Sequence, residues 1–452
     1  VSNLPIPPFA AGFAWGVATS AYQIEGAVTE DGRGESTWDV FCRKPGAIRD
    51  GQTGDVAADH YHRWPEDIAL MAELGVTTYR FSIAWPRVQP AGAGPANPAG
   101  LDFYARLTDA LLAAGITPMP TLFHWDLPQP LEEAGGWMAR DTAYRFADYA
   151  GITAARLAGR IPLWITLNEP FVVMAFGYGL GRHAPGQRLL LGALPSAHHQ
   201  LLGHGLATAA MRAAGVRQVA ITNNFAPAWP ASEAPADTAA ADAFDVLQNR
   251  LFTEPCLTGR YPDLSGLGAG EDAMDCVRDG DLGVISAPLD ALGVNYYSPA
   301  RVSAGVGTEL PFQLEEIPGY PVTAYGWPVV PSGLTELLLA LRERYGAALP
   351  PVYITENGCS VDDEPAADGT VDDQPRISYL DSHIRAVADA VIAGVDVRGY
   401  LAWSLMDNFE WSDGYHQRFG LVHIDFATQR RTPKASFGWY RDLIAAQRQQ
   451  PR

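Results

Sequence analysis

Tyr353-Ile354-Thr355-Glu356-Asn357-Gly358 closes an apolar run that starts at Pro351 and Val352, and it ends abruptly in a carboxylate, an amide and a glycine. An acid therefore stands at the tip of a strand. Leu163-Trp164-Ile165-Thr166-Leu167 has the same form and delivers Asn168, Glu169 and Pro170. If both strands belong to one parallel barrel, the two carboxylates share a mouth, because such barrels draw their reactive groups from the carboxyl ends of different strands. A single glutamate after an apolar strand is ordinarily a buried or capping acid. Two that face each other are the equipment for cleaving a glycosidic bond.

Working outward, strand-like apolar runs recur at 15–20, 77–85, 117–125, 163–169, 218–224, 291–297, 351–356 and 397–405. Helical patterns alternate with them. One is 65–74, with Pro65 suited to a first helical position, and another is 379–393, where Leu380, Ile384, Val387 and Val391 keep helical steps. Strand–helix alternation predicts a parallel sheet, and eight such units predict an α/β fold: a single (β/α)8 barrel domain spanning 1–452. Long segments at 21–59, 171–195, 225–237, 299–331 and 407–433 each follow a strand's carboxyl end and would wall the mouth into a pocket. Glycine and proline in 305–321 and 362–375 suggest mobile stretches within the domain.

Composition narrows the function. A formal charge of −19 excludes a phosphate-binding surface, so neither nucleic acid nor an anionic membrane is an expected partner, and a neutral small molecule fits better. No run of ~18 apolar residues suggests a membrane span, and Val1 to Phe9 does not read as a secretory signal. Cys42, Cys256, Cys276 and Cys359 are few and unpaired in spacing, which favours reduced thiols and a cytoplasmic location. Lysine occurs only at Lys44 and Lys434; the other basic residues are arginine.

Thr166-Leu167-Asn168-Glu169-Pro170 and Tyr353-Ile354-Thr355-Glu356-Asn357-Gly358 resemble the acid/base and nucleophile signatures of glycoside hydrolase family 1, the β-glucosidase family, and the likeness runs from Phe9 to about Ile444. The resemblance implies a retaining, exo-acting β-glycosidase without cofactor or metal, acting on β-glucosides first and on β-galactosides and β-fucosides besides. It assigns Glu169 as general acid and later base, and Glu356 as nucleophile. Arg80, in Tyr79-Arg80-Phe81-Ser82, would keep Glu356 ionised, and Tyr297 would hydrogen-bond the same carboxylate. Gln23, His124, Trp125, Asn168, Glu410 and Trp411 match the family's sugar contacts, Trp403 its floor and Trp327 its pocket entrance, with Asn295 and Phe419 lining the same subsite. Taken without the resemblance, each tryptophan reads first as core.

Relatives that cleave 6-phosphorylated sugars carry a phosphate clamp where this chain has Glu410, whose charge would repel that dianion; free hexosides are the expected substrates. The residue after Asn168-Glu169-Pro170 is often tryptophan in the family but is Phe171 here, which would make the leaving-group side more apolar. Two other functions use the same barrel: a catalytically silent sugar-binding protein, and an enzyme that is mainly a transglycosylase. His60 with His62 and His198 with His199 lack the matched acids of a metal site and read as structural. Asp31-Gly32-Arg33-Gly34 and the glycines at 266–270 lack the strand–loop–helix setting of a nucleotide site.

Overall fold

The computed structural model describes residues 5–270 and 272–449. Eight parallel strands close into a barrel: Ala14–Ala18, Thr78–Ser82, Thr117–Phe123, Leu163–Asn168, Gln218–Phe225, Ala291–Tyr296, Val352–Asn357 and Val397–Trp403. Each strand pairs with its neighbours in chain order, and the first closes on the eighth in the register Ala14↔Gly399 to Ala18↔Trp403. Outer helices follow the strands, among them His60–Leu74, Asp141–Leu157, Leu194–Ala213, Pro331–Tyr345 and Gln374–Ile392. The alternation of the sequence is therefore the alternation of the fold.

Apolar side chains divide into two cores because strand residues alternate in direction. Ala18, Met119, Leu163, Ile165, Ala220, Ala291 and Leu401 fill the barrel's interior. Tyr79, Phe81, Trp164, Ile221, Val294 and Ile354 point outward and pack under the helices. The interior is thus dry below, while the polar residues gather at the carboxyl mouth.

Several boundaries differ from the sequence expectation. The helix expected at 65–74 begins at His60, so Pro65 sits inside it. Proline's fixed φ suits a helix, and its cost is one backbone bond; the first turn is tied down instead by His60 Nδ1 to Asp67 Oδ2 at 2.7 Å. The helix expected at 379–393 starts at Gln374, with Pro375 in its first turn. The third strand ends at Phe123 rather than at residue 125, since Trp125 takes φ of 77° and cannot continue a ladder. No helix among the described residues is long and apolar enough to cross a membrane.

One buried ion network joins the loops after the seventh and eighth strands. Lys434 Nζ meets Asp363 Oδ2 at 2.7 Å and Asp407 Oδ1 at 2.8 Å; Arg376 pairs with Asp363 and Asp373, and Arg418 with Asp407. Asp363 and Asp373 thereby pin both ends of the glycine- and proline-rich stretch that had read as mobile. Removing a single partner would strand an uncompensated buried charge. Lys434→Met should lower unfolding stability by about 3–5 kcal/mol, read as an earlier guanidinium midpoint by tryptophan fluorescence. An unchanged midpoint would show that the network contributes nothing net.

Candidate active site

The fourth and seventh strands both lose register just before their glutamates. The fourth shifts against the fifth between Ile165 and Asn168, and the seventh against the sixth between Ile354 and Glu356. Such irregularities re-aim side chains, and here they turn Asn168 and Glu356 into the mouth. Glu169 then takes a left-handed backbone conformation, φ 47°, before Pro170 opens a short helix. Gly358 follows from contact: a Cβ there would stand 1.8 Å from the carbonyl oxygen of Trp403.

The two carboxyls have unlike surroundings. Glu356 Oε1 accepts from Arg80 Nη1 at 2.6 Å, and its Oε2 accepts from the Tyr297 hydroxyl at 2.9 Å. Glu169 Oε1 accepts from Asn295 Nδ2 at 2.7 Å and has no cation in contact. Burial pushes the Glu169 carboxyl up to about 8, and the neighbouring Glu356 adds to the shift. Burial raises Glu356 as well, but the Arg80 charge and the hydrogen bonds from Arg80 and Tyr297 draw it back. The Arg80 cation and the Tyr297 hydroxyl thus both work against desolvation at Glu356. A proton shared by this pair resides on Glu169, because only Glu356 touches a fixed positive charge.

Arg80 is held by four strands. Its Nε donates to Thr121 Oγ1 at 3.1 Å, its Nη1 also to the Thr355 carbonyl at 3.2 Å, and its Nη2 to Asn168 Oδ1 at 2.6 Å. Asn168 in turn donates to His124 Nε2 at 3.0 Å. Burial, with Arg80 nearby, keeps the His124 imidazole neutral. Since Nε2 accepts, Nδ1 carries the proton, and that buried N–H has no partner among the described residues.

These groups open into a cavity of about 560 Å³. His124, Trp125, Glu169, Asn295, Tyr297, Trp327, Glu356, Trp403, Glu410, Trp411 and Phe419 all line it, so most residues singled out in the sequence converge there. Gln23, Arg80 and Asn168 stand behind the wall. Gln23 is fully buried, and its Nε2 faces Asn408 Oδ1, the Phe409 carbonyl and Glu410 Oε2 at 3.0, 3.0 and 3.2 Å, so it orients Glu410. Trp411 is wedged by Trp38 and Trp125, at centroid distances of 4.6 and 4.5 Å, and Trp327 stacks on Tyr325 at 4.3 Å. Phe171 also reaches the cavity, edge-on to Phe176 and Phe252.

Glu410 differs from its sequence reading. Burial and the nearby Asp413, Glu356 and Glu169 raise its carboxyl well above the usual range, which favours the neutral form. Sequence reasoning did not single out Tyr325, His183, Arg182, Asp413 or Gln248, which also line the cavity. They lie on segments without strand periodicity, and only a buried-looking aromatic such as Tyr325 beside Trp327 carried a signal.

A paired-carboxyl pocket at the carboxyl mouth of an eight-stranded barrel, floored by tryptophan, defines a barrel glycoside hydrolase. The sequence profile described as glycosyl hydrolase family 1 matches residues 7–449. The chain is 50% identical over 442 residues to thermostable beta-glucosidase B of Thermobispora bispora, covering 96% of this chain and 90% of that one. It is 46% identical to the bifunctional beta-D-glucosidase/beta-D-fucosidase of Bifidobacterium breve, over 97% and 98% of the two chains. The structure of the Thermotoga maritima beta-glucosidase in complex with glucoimidazole matches with a TM-score of 0.92 at 42% identity, over 97% of this chain and 99% of that one. The chain belongs to glycosyl hydrolase family 1 and is a retaining glycosidase.

The Arg80 contact yields a pH prediction. Activity that needs ionised Glu356 disappears as pH falls through that group's pKa, and removing the cation raises that pKa. Arg80→Met should move the acidic limb of kcat/KM to higher pH and lower its maximum at least about tenfold, the scale of one charge-assisted hydrogen bond. A pH–rate profile with an unmoved acidic limb would exclude electrostatic control by Arg80.

Proposed function

We propose that the whole chain acts as one exo-acting β-glucosidase that hydrolyses non-phosphorylated β-D-glucosides by double displacement. The observation that carries this reading is the asymmetry of the carboxyls: Glu356 braced by Arg80 and Tyr297, Glu169 raised to about 8 without a cation. Near neutral pH that asymmetry supplies one carboxylate and one carboxylic acid. Glu356 attacks the anomeric carbon from the face opposite the leaving group, while Glu169 donates its proton to the glycosidic oxygen and the alcohol departs. The sugar is then an α-linked ester of Glu356. With Glu356 no longer charged, Glu169 loses the part of its upward shift that came from that neighbour, stays ionised after giving up its proton and takes a proton from water. That water displaces Glu356 and releases the β-anomer.

Both carboxyls are present and interact with one another, which argues against a binding-only barrel. Trp403 and Trp411 offer apolar faces to the sugar's C–H surface, and Glu410 offers partners to its hydroxyls. The named activity of the Bifidobacterium breve relative supports β-fucosides as further substrates.

Exchanging one glutamate at a time separates the two steps. Glu356→Gly should abolish turnover and regain it with azide as an α-glucosyl azide, whereas Glu169→Ala should cleave activated aryl glucosides slowly and give the β-azide; the same configuration from both variants would refute the assignment. Glu410 is assigned to the sugar's 4- and 6-hydroxyls. Glu410→Ala should cost glucoside turnover about 2 kcal/mol and fucoside turnover less, since fucose lacks the 6-hydroxyl. Equal losses in kcat/KM on both substrates would remove Glu410 from that contact.

A further inference from the structure

Glu410 and Trp411 stand at the entry of a turn that closes on itself. The Glu410 N–H donates to the Gly414 carbonyl at 2.6 Å, and the Asp413 N–H donates to the Glu410 carbonyl at 2.9 Å. Whatever displaces Gly414 therefore displaces Glu410. Gly414 takes φ of 61°, in the left-handed region that favours glycine. Contact gives a second reason for glycine there, since a Cβ would stand 2.1 Å from Gln52 Oε1.

Gln52 comes from the long segment after the first strand, 363 residues before Tyr415, and it is half-buried. Asp50 and Gly51 both take positive φ, 55° and 64°, a tight reversal directly before it. Gln52 Oε1 accepts from the Tyr415 N–H at 2.7 Å, the Tyr415 hydroxyl donates to the Thr53 carbonyl at 2.8 Å, and Asp50 Oδ2 meets His416 Nε2 at 2.6 Å. Three successive residues at the exit of the turn thus meet one short segment. The Asp50–His416 pair is largely exposed, at 66% and 31%, and contributes little. The bond from the Tyr415 backbone to Gln52 is the one that fixes the path of the chain, because a half-buried N–H without an acceptor is costly. Neither Gln52 nor Tyr415 lines the catalytic cavity, whereas Glu410, Trp411, Ser412 and Asp413 all do. Gln23 holds the Glu410 side chain at 3.2 Å; Gln52 holds the backbone behind it.

We infer that Gln52 is a positioning residue for sugar specificity: by holding Gly414 and Tyr415 from behind, it sets where the turn presents Glu410 to the sugar. This role rests on Glu410 reading the 4- and 6-hydroxyls, as proposed above, and deepens that reading. Without the Gln52 oxygen the Tyr415 N–H must turn toward water, and the Glu410 N–H bond to Gly414 carries that movement to the carboxyl. A glucoside then loses contacts at both hydroxyls. A fucoside has no 6-hydroxyl and loses less.

The test is the ratio of kcat/KM for 4-nitrophenyl β-D-glucoside to that for 4-nitrophenyl β-D-fucoside, which share a leaving group and so isolate the sugar. Gln52→Met, similar in size but without the acceptor, should lower that ratio about fivefold to tenfold, the scale of one hydrogen bond. Gln52→Glu keeps an oxygen for the Tyr415 N–H and should hold the ratio within about twofold of the unmodified enzyme. Fucoside turnover reports that each variant is folded, and a contribution to stability alone would leave the ratio unmoved. An unchanged ratio in Gln52→Met, or a fall as large in Gln52→Glu as in Gln52→Met, would overturn the role of Gln52 while leaving the glucosidase reading standing. Equal losses on the two sugars in Glu410→Ala would remove the Glu410 contact, and the role of Gln52 with it.

Discussion

A guanidinium enclosed in the barrel, in contact with Glu356, is the constraint on which the active site depends. Desolvating Arg80 is costly unless its donors are met, and they are met by residues of three other strands: Thr121, Asn168, Thr355 and Glu356. Arginine suits the position because it remains charged in any environment and presents donors in several directions at once. A lysine could neutralise on burial and would meet fewer partners. The same bonds hold Asn168 against His124, so the residue that braces Glu356 also sets the position of the His124 ring.

From that contact the electrostatics of the pocket follow. Four carboxyls, those of Glu169, Glu356, Glu410 and Asp413, line one cavity, and a single arginine is in contact with one of them. The cation selects which group carries charge most readily; burial leaves Glu169 and Glu410 inclined to hold protons. Identical side chains thus acquire unequal proton affinities through unequal surroundings.

The backbone carries part of the cost. Glu169, Trp125 and Trp411 all take positive φ, at 47°, 77° and 49°, a region that bulky residues enter rarely. Each is held there by packing or hydrogen bonds: Asn295 grips Glu169, Trp125 donates its indole N–H to the Asn168 carbonyl at 3.0 Å, and Tyr22 and Trp38 flank Trp411. The buried Lys434 network holds the loops behind them, and the wide turn Val173–Gly179 brings Phe176 to the cavity wall.

What the sequence by itself determined is local: the strands and helices, from hydrophobic period, and the two glutamates, from their position at the ends of apolar runs. The aromatics that line the cavity were legible only through the family resemblance, since each tryptophan taken alone reads first as core. Strand ends, helix starts and the upward shift of the Glu410 carboxyl were not legible, because positive φ at Trp125, the tie from His60 to Asp67 and the crowding of carboxyls are set by neighbours distant in the chain. Only the tertiary structure decided which glutamate keeps the proton: Arg80 and Glu356 are 276 residues apart, and no local pattern encodes their 2.6 Å contact. The register shifts that aim Asn168 and Glu356 belong to the same category. They arise where strands and loops from different parts of the chain meet, and the physical quantities that govern them, desolvation and contact distance, exist only once those parts are brought together.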